Sequence, residues 1–165
     1  MTAFDQALAF VLEWEGGLVS DPNDAGGLTN HGISQRAYPD LAIAALTRDD
    51  VVAIYARDYW APVRGDELPA PLALVMFDSA VNQGVSRAVI CMQRALGVAD
   101  DGIPGPATME AGQRAWTRSP AKLLREVCVQ RQLHYAVIPG WRHYREGWTR
   151  RLFAAHGRAV DMLGR

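Results

Sequence analysis

The stretch Phe4-Asp5-Gln6-Ala7-Leu8-Ala9-Phe10-Val11-Leu12-Glu13-Trp14-Glu15, closed by Gly16-Gly17, decides how the chain is read. At about 100° per residue, Phe4, Leu8, Val11 and Leu12 share one face of a helix, and Thr2 with Asp5 supplies an N-terminal cap in front of them. Glu15 ends that apolar stripe, whereas Glu13 points to the opposite side. A carboxyl group at the end of a core-facing stripe loses hydration, which disfavours its charged form. A general acid needs that environment.

Residues 16–33 interrupt the helical period with Gly16, Gly17, Pro22, Gly26, Gly27 and Gly32, which predicts a loop or short β-hairpin directly after the first helix. This segment carries the carboxylate Asp24, the hydroxyl Thr29 and the imidazole His31. Glycosidic cleavage commonly uses one carboxyl group to protonate the leaving oxygen and a second to orient water or support an oxocarbenium-like transition state. Glu15 and Asp24 are the candidate pair, Thr29 is the candidate water-positioning group, and His31 is expected to line the cleft.

Beyond the hairpin, capped or glycine-ended helices are predicted from Thr47 to Trp60 before Pro62, from Leu72 to Gln83, and from a Ser86 cap through Leu96. Asp100-Asp101-Gly102-Ile103-Pro104-Gly105-Pro106 reads as a turn. Ala107 to Trp116, Pro120 to Val137 and Tyr144 to Leu163 follow as three more helices. No alternating strands occur outside the hairpin and no repeat is visible, so the fold class is mostly α. With 165 residues, 49% hydrophobic and 21% charged, the chain is long enough to bury a real core as one compact unit.

The net charge of −1 hides an asymmetry: residues 1–110 hold 15 Asp/Glu against 6 Arg, and residues 111–165 hold 3 against 11 Arg/Lys. A basic tail favours an anionic partner or packs against acidic helices. It is too little to argue nucleic-acid binding. Cys91 and Cys128 lack zinc-site spacing and read as buried, unpaired thiols. Asp21-x-Asn23-x-Ala25-Gly26 begins like a calcium loop, but Ala25 and Gly32 occupy ligand positions, so no metal and no other cofactor is expected. No dinucleotide loop, phosphate loop or serine nucleophile elbow is present. With no basic leader and no long apolar run, synthesis in the bacterial cytoplasm and no membrane insertion are expected.

The motif Glu15-Gly16-Gly17, then Asp21-Pro22-x-Asp24-x-Gly26-Gly27-x-Thr29-x-x-Gly32-Ile33, resembles the signature of glycoside hydrolase family 108, the N-acetylmuramidases often found in phages and prophages. The resemblance continues through Tyr59-Trp60, Phe77-Asp78-x-Ala80-Val81-Asn82-x-Gly84, Gln93-x-x-Leu96-Gly97 with Asp101-Gly102-x-x-Gly105-Pro106-x-Thr108, and Gly147-Trp148-x-x-Arg151. It implies a lysozyme-like helical fold, a catalytic Glu at Glu15, a hydrolase region over 1–90 and a peptidoglycan-binding-like helical region over 91–165, packed as one unit. More distantly, the chain is similar to phage-type lysozymes, whose pattern is Glu-x8-Asp-x5-Thr. Glu15 and Asp24 keep the first spacing, while only four residues separate Asp24 from Thr29.

What the resemblance implies is a monomeric hydrolase of the β-1,4 bond between N-acetylmuramic acid and N-acetylglucosamine, an endolysin-type enzyme acting on the wall after release or export. Its partner is peptidoglycan. Tyr59 and Trp60 could stack on sugar rings, and Asn82 and Gln83 could read hydroxyl or N-acetyl groups. Trp141, Trp148 and the Arg150-Arg151 pair read as organisers of the last helix. Two alternatives stay open on sequence: a lytic transglycosylase working through one Glu, and a non-catalytic wall-binding or secretion-accessory protein.

Overall fold

Thr2 starts α1 (Ala3–Glu15) through a reciprocal cap: its Oγ1 accepts from the Asp5 amide at 3.1 Å while its own amide donates to Asp5 Oδ2 at 2.7 Å. The computed structural model describes residues 1–20 and 27–164. Thr47 and Asp50 repeat the same device at the head of α2 (Arg48–Tyr55). A π-helical turn, Ala56–Trp60, continues α2 before Pro62. Between these helices lie three short antiparallel strands in the order β1 (Val19–Ser20), β2 (Leu28–Asn30) and β3 (Ile33–Ser34). The expected hairpin is thus present with a third strand added.

The centre is α3 (Ala70–Gln83), in which every residue from Pro71 to Ala80 is buried. A helix buried all round needs neighbours on all sides. It has them in α1, in α4 (Val85–Leu96), in α6 (Pro120–Val137) and in α7 (Trp141–Leu163). The remaining helix, α5 (Pro106–Arg118), packs on α4 and α6. One contiguous apolar core runs from Ala7 to Ala159. The described residues are mostly helical, as the sequence predicts.

Two boundaries differ from expectation. α4 begins at Val85 with Gly84, φ +90°, as its uncapped N-terminus, so Ser86 lies inside the first turn and does not cap. α7 begins at Trp141, a turn earlier than Tyr144, because Gly140 reverses the chain at φ +90°. Cys91 and Cys128 are both free and buried. Burial pushes both thiols up, Cys128 to about 11.

Candidate active site

Glu15 is the last residue of α1, where Gly16 at φ +71° ends the helix. Its side chain is 19% exposed, and Oε1 accepts from Arg151 Nη1 of α7 at 2.6 Å. Arg151 Nε also donates to Asp78 Oδ1 at 2.7 Å, and Asp78 Oδ2 accepts from Arg131 Nη2 at 2.8 Å. Asp78 and Arg131 are wholly buried. Four charged side chains from α1, α3, α6 and α7 therefore form one line, of which only Glu15 is appreciably open to solvent.

Two carboxylates and two guanidiniums balance. That balance is what allows them inside, because an unpaired ion in the core carries a penalty of several kcal/mol. Burial alone would lower the Arg131 and Arg151 values, but the Asp78 carboxylate outweighs it for both, joined at Arg151 by Glu15. Both arginines stay cationic. The apolar-stripe picture of Glu15 thus omits its ion-pair partner Arg151, 2.6 Å away.

The hairpin closes over this carboxyl group. His31 and Gly32 are the two central residues of the β2–β3 turn, both with positive φ (50° and 76°), as a tight hairpin turn of matching twist requires. A Cβ at Gly32 would stand 2.6 Å from Glu15 Oε2 and 2.8 Å from Tyr55 Oη, so only glycine lets the turn come this near. Tyr55 Oη donates to the His31 carbonyl at 2.8 Å, and Asn30 Nδ2 donates to the Ile43 carbonyl at 3.1 Å, fixing the turn at both ends. Burial, with the Glu15 charge adding, raises the Tyr55 phenol. It stays a donor.

A model of the glycosyl hydrolase 108 family matches residues 8–84, and a model described as "Predicted Peptidoglycan domain" matches residues 87–153. No curated protein matches the chain. Among solved structures, that of Brucella abortus SagA is 31% identical, covers 96% of this chain and 94% of its own, and superposes with a TM-score of 0.86. The chain belongs to the glycosyl hydrolase 108 family. It is a glycoside hydrolase whose partner is peptidoglycan.

In this family 108 enzyme the sequence candidates are distributed unevenly. Glu15 lies at the centre of the site. Asp24 falls outside the described residues. Thr29 is partly buried on β2, opposite Val19 and Ser34, and by strand alternation faces away from the side on which Asn30 is anchored. His31 contributes its carbonyl to the turn and its side chain is partly exposed. Tyr59 is half-buried beside Tyr55, with ring centroids 5.5 Å apart. Burial raises its phenol, the charges of Asp58 and Glu15 adding to the effect, so it neighbours the site.

Trp60, expected to stack on sugar rings, is instead a core residue. It is 3% exposed, packs edge-to-face on Phe4 and Phe77, and donates its indole N–H to Asp66 Oδ1 at 2.9 Å. Gly65 lies flat against the ring, where a Cβ would collide with it. The ring has no face to offer a sugar. Asn82 accepts from Tyr135 Oη of α6, and Gln83 accepts from Ser79 Oγ at 2.9 Å while reaching the Arg131 carbonyl at 3.5 Å. Both tie α3 to α6.

The residues that sequence reasoning missed are Asp78, Arg131, Arg151 and Tyr55. A signal existed for three of them: each is a charged residue on an otherwise buried stripe, Asp78 within Leu72–Ala80, Arg131 after Leu124 and Val127, and Arg151 before Leu152 and Ala155. Among the described residues no three His, Cys, Asp or Glu side chains group as metal ligands, and no helix is long and apolar enough to cross a membrane.

Proposed function

We propose that this enzyme hydrolyses the β-1,4 bond between N-acetylmuramic acid and N-acetylglucosamine, with Glu15 as general acid. The observation that carries the reading is the Glu15 carboxyl group itself, pinned by Arg151 and approached by Gly32 at the mouth of the hairpin. Glu15 gives its proton to the leaving glycosidic oxygen and becomes a carboxylate. Arg151 then faces the new negative charge at hydrogen-bond distance, which stabilises the state just after transfer. Before transfer the protonated acid leaves the four-residue line with one net positive charge. In this reading an ionised Asp24 supplies the offsetting charge and orients the attacking water, with Thr29 assisting and His31 and Tyr59 along the cleft.

Residues 1–90 carry the chemistry in this reading and residues 91–165 the wall contact, packed as one unit. Support comes from the two family matches, which meet between residues 84 and 87, and from Arg151 reaching from the second part into the first. The enzyme is a monomer of endolysin type, made in the bacterial cytoplasm and acting on the wall after release or export. The decisive measurement is reducing-end release from purified peptidoglycan by Glu15→Gln and Asp24→Asn. Glu15→Gln keeps the shape but removes the transferable proton, so turnover falls on the order of 10² to 10⁴ while sacculus binding persists. Asp24→Asn falls less. Near-normal turnover in Glu15→Gln sinks the assignment, and 1,6-anhydro product ends replace hydrolysis by a transglycosylase reaction.

A further inference from the structure

Four aromatic rings gather where α6 meets α7. Tyr135 stacks on Trp148 with centroids 5.1 Å apart and planes 24° apart, and Tyr144 stacks on Trp148 at 5.6 Å and 28°. Trp141 lies 6.4 Å from Trp148 at 35°. This near-parallel order contrasts with the edge-to-face knot of Phe4, Trp60 and Phe77 in the core. Its outer ring is open, since Tyr144 is 55% exposed, while Tyr135 at the other end is buried. The turn before α7 supports it: a Cβ at Gly140 would lie 3.2 Å from Tyr144 Cδ2 and 3.9 Å from Trp148 Cη2.

The position along the helix gives the stack its meaning. Trp141, Tyr144, Trp148 and Arg151 follow one another at steps of three, four and three residues, which sets them on one stripe of α7. Arg151 is the residue bonded to Glu15. Trp148 stands about 4.5 Å before it along the axis, and Tyr144 about 10 Å. Tyr135, beneath Trp148, donates its hydroxyl to Asn82, so a fixed amide borders the rings. An aromatic face edged by polar groups complements a pyranose ring, whose C–H face is apolar and whose rim is hydroxylated.

We propose that Tyr144, backed by Trp148, forms a stacking platform for a sugar ring of a peptidoglycan glycan strand, beyond the point where the strand is cut. The placement rests on Glu15 as the cutting acid. The occupant follows from the continuity of the stripe with Arg151 and Glu15, and from the match of residues 87–153 to a peptidoglycan domain model.

The test is equilibrium binding of glycan strands stripped of peptide stems, followed by tryptophan fluorescence, to the otherwise unaltered chain, Tyr144→Ala and Tyr144→Phe, each carrying Glu15→Gln so that the strands stay intact. Circular dichroism checks that each is folded. Loss of the ring weakens binding roughly three- to tenfold, and Tyr144→Phe binds like the otherwise unaltered chain. Equal affinity in Tyr144→Ala, equal loss in Tyr144→Phe, or no binding of strands by the otherwise unaltered chain each overturns the platform. So does a change in sedimenting mass with glycan affinity intact, which would make the stack a contact between copies. The readout needs no turnover, so a failure of the Glu15 reading, seen in Glu15→Gln, is told apart from a failure here.

Discussion

Two buried side chains, Gln93 and Asp78, anchor polar clusters on opposite plans. Around Gln93, which is 1% exposed, the bonds are neutral or local: its Nε2 donates to Asp101 Oδ1 at 2.7 Å, the Ile103 carbonyl at 3.0 Å and Thr108 Oγ1 at 3.1 Å, and its Oε1 accepts from the Gly102 amide at 2.9 Å. All partners lie within 15 residues. Around Asp78 the bonds are ionic and span 53, 73 and 136 residues, joining four helices. The first cluster fastens one turn between α4 and α5. The second fastens the chain's two parts to each other and ends on the candidate acid, so polarity in the core does different work according to how far it reaches.

Removing Asp78 should give the largest effect. Asp78→Ala leaves the buried Arg131 and Arg151 without their shared counter-ion, and unfolding free energy should fall by about 3–5 kcal/mol in a denaturant titration. A loss below about 1 kcal/mol would put the ionic line on the level of a surface pair and erase the contrast. Gln93→Ala should come next, at about 1–3 kcal/mol, because it strands the Gly102 amide and Thr108. Its specific activity per folded molecule should stay normal. A fall in turnover matching that of Glu15→Gln would show that the local cluster also reaches the site.

The smallest effect sharpens the comparison at neighbouring positions. Arg150 pairs with Glu146 at 2.7 Å, but both side chains are largely exposed, 72% and 76%, whereas the Arg151 side chain is 8% exposed. Arg150→Ala should leave the thermal midpoint unchanged and Arg151→Ala should lower it, measured side by side by calorimetry. Equal shifts would mean that burial does not separate the two.

The same division decides what the sequence discloses. Local rules are written in neighbouring residues, so Thr2 with Asp5 and Thr47 with Asp50 announce the starts of α1 and α2, and the glycines after Glu15 announce the hairpin. Glu15 itself is legible because a carboxylate ending an apolar stripe is unusual. Asp78 is as unusual within Leu72–Ala80, but its partners are not legible, since they arrive from helices 53 and 73 positions later and no periodicity encodes them. Trp60 misleads for a related reason: an aromatic residue at a helix end has the same spacing whether it faces a cleft or, as here, Phe4 and Phe77. Arg150 and Arg151 look alike in a basic tail, and only the direction in which α7 packs distinguishes them.

The bond from Arg151 back to Glu15 has a consequence for manufacture. Protein synthesis runs at about 5–20 residues per second, so roughly 7 to 27 s pass between the addition of the acid and the addition of its cation 136 positions later. Through that interval the growing chain carries a carboxyl group without the guanidinium that anchors it. A message with an early stop before α7 therefore yields a polypeptide in which Glu15 lacks its ionic partner and Asp78 keeps only Arg131.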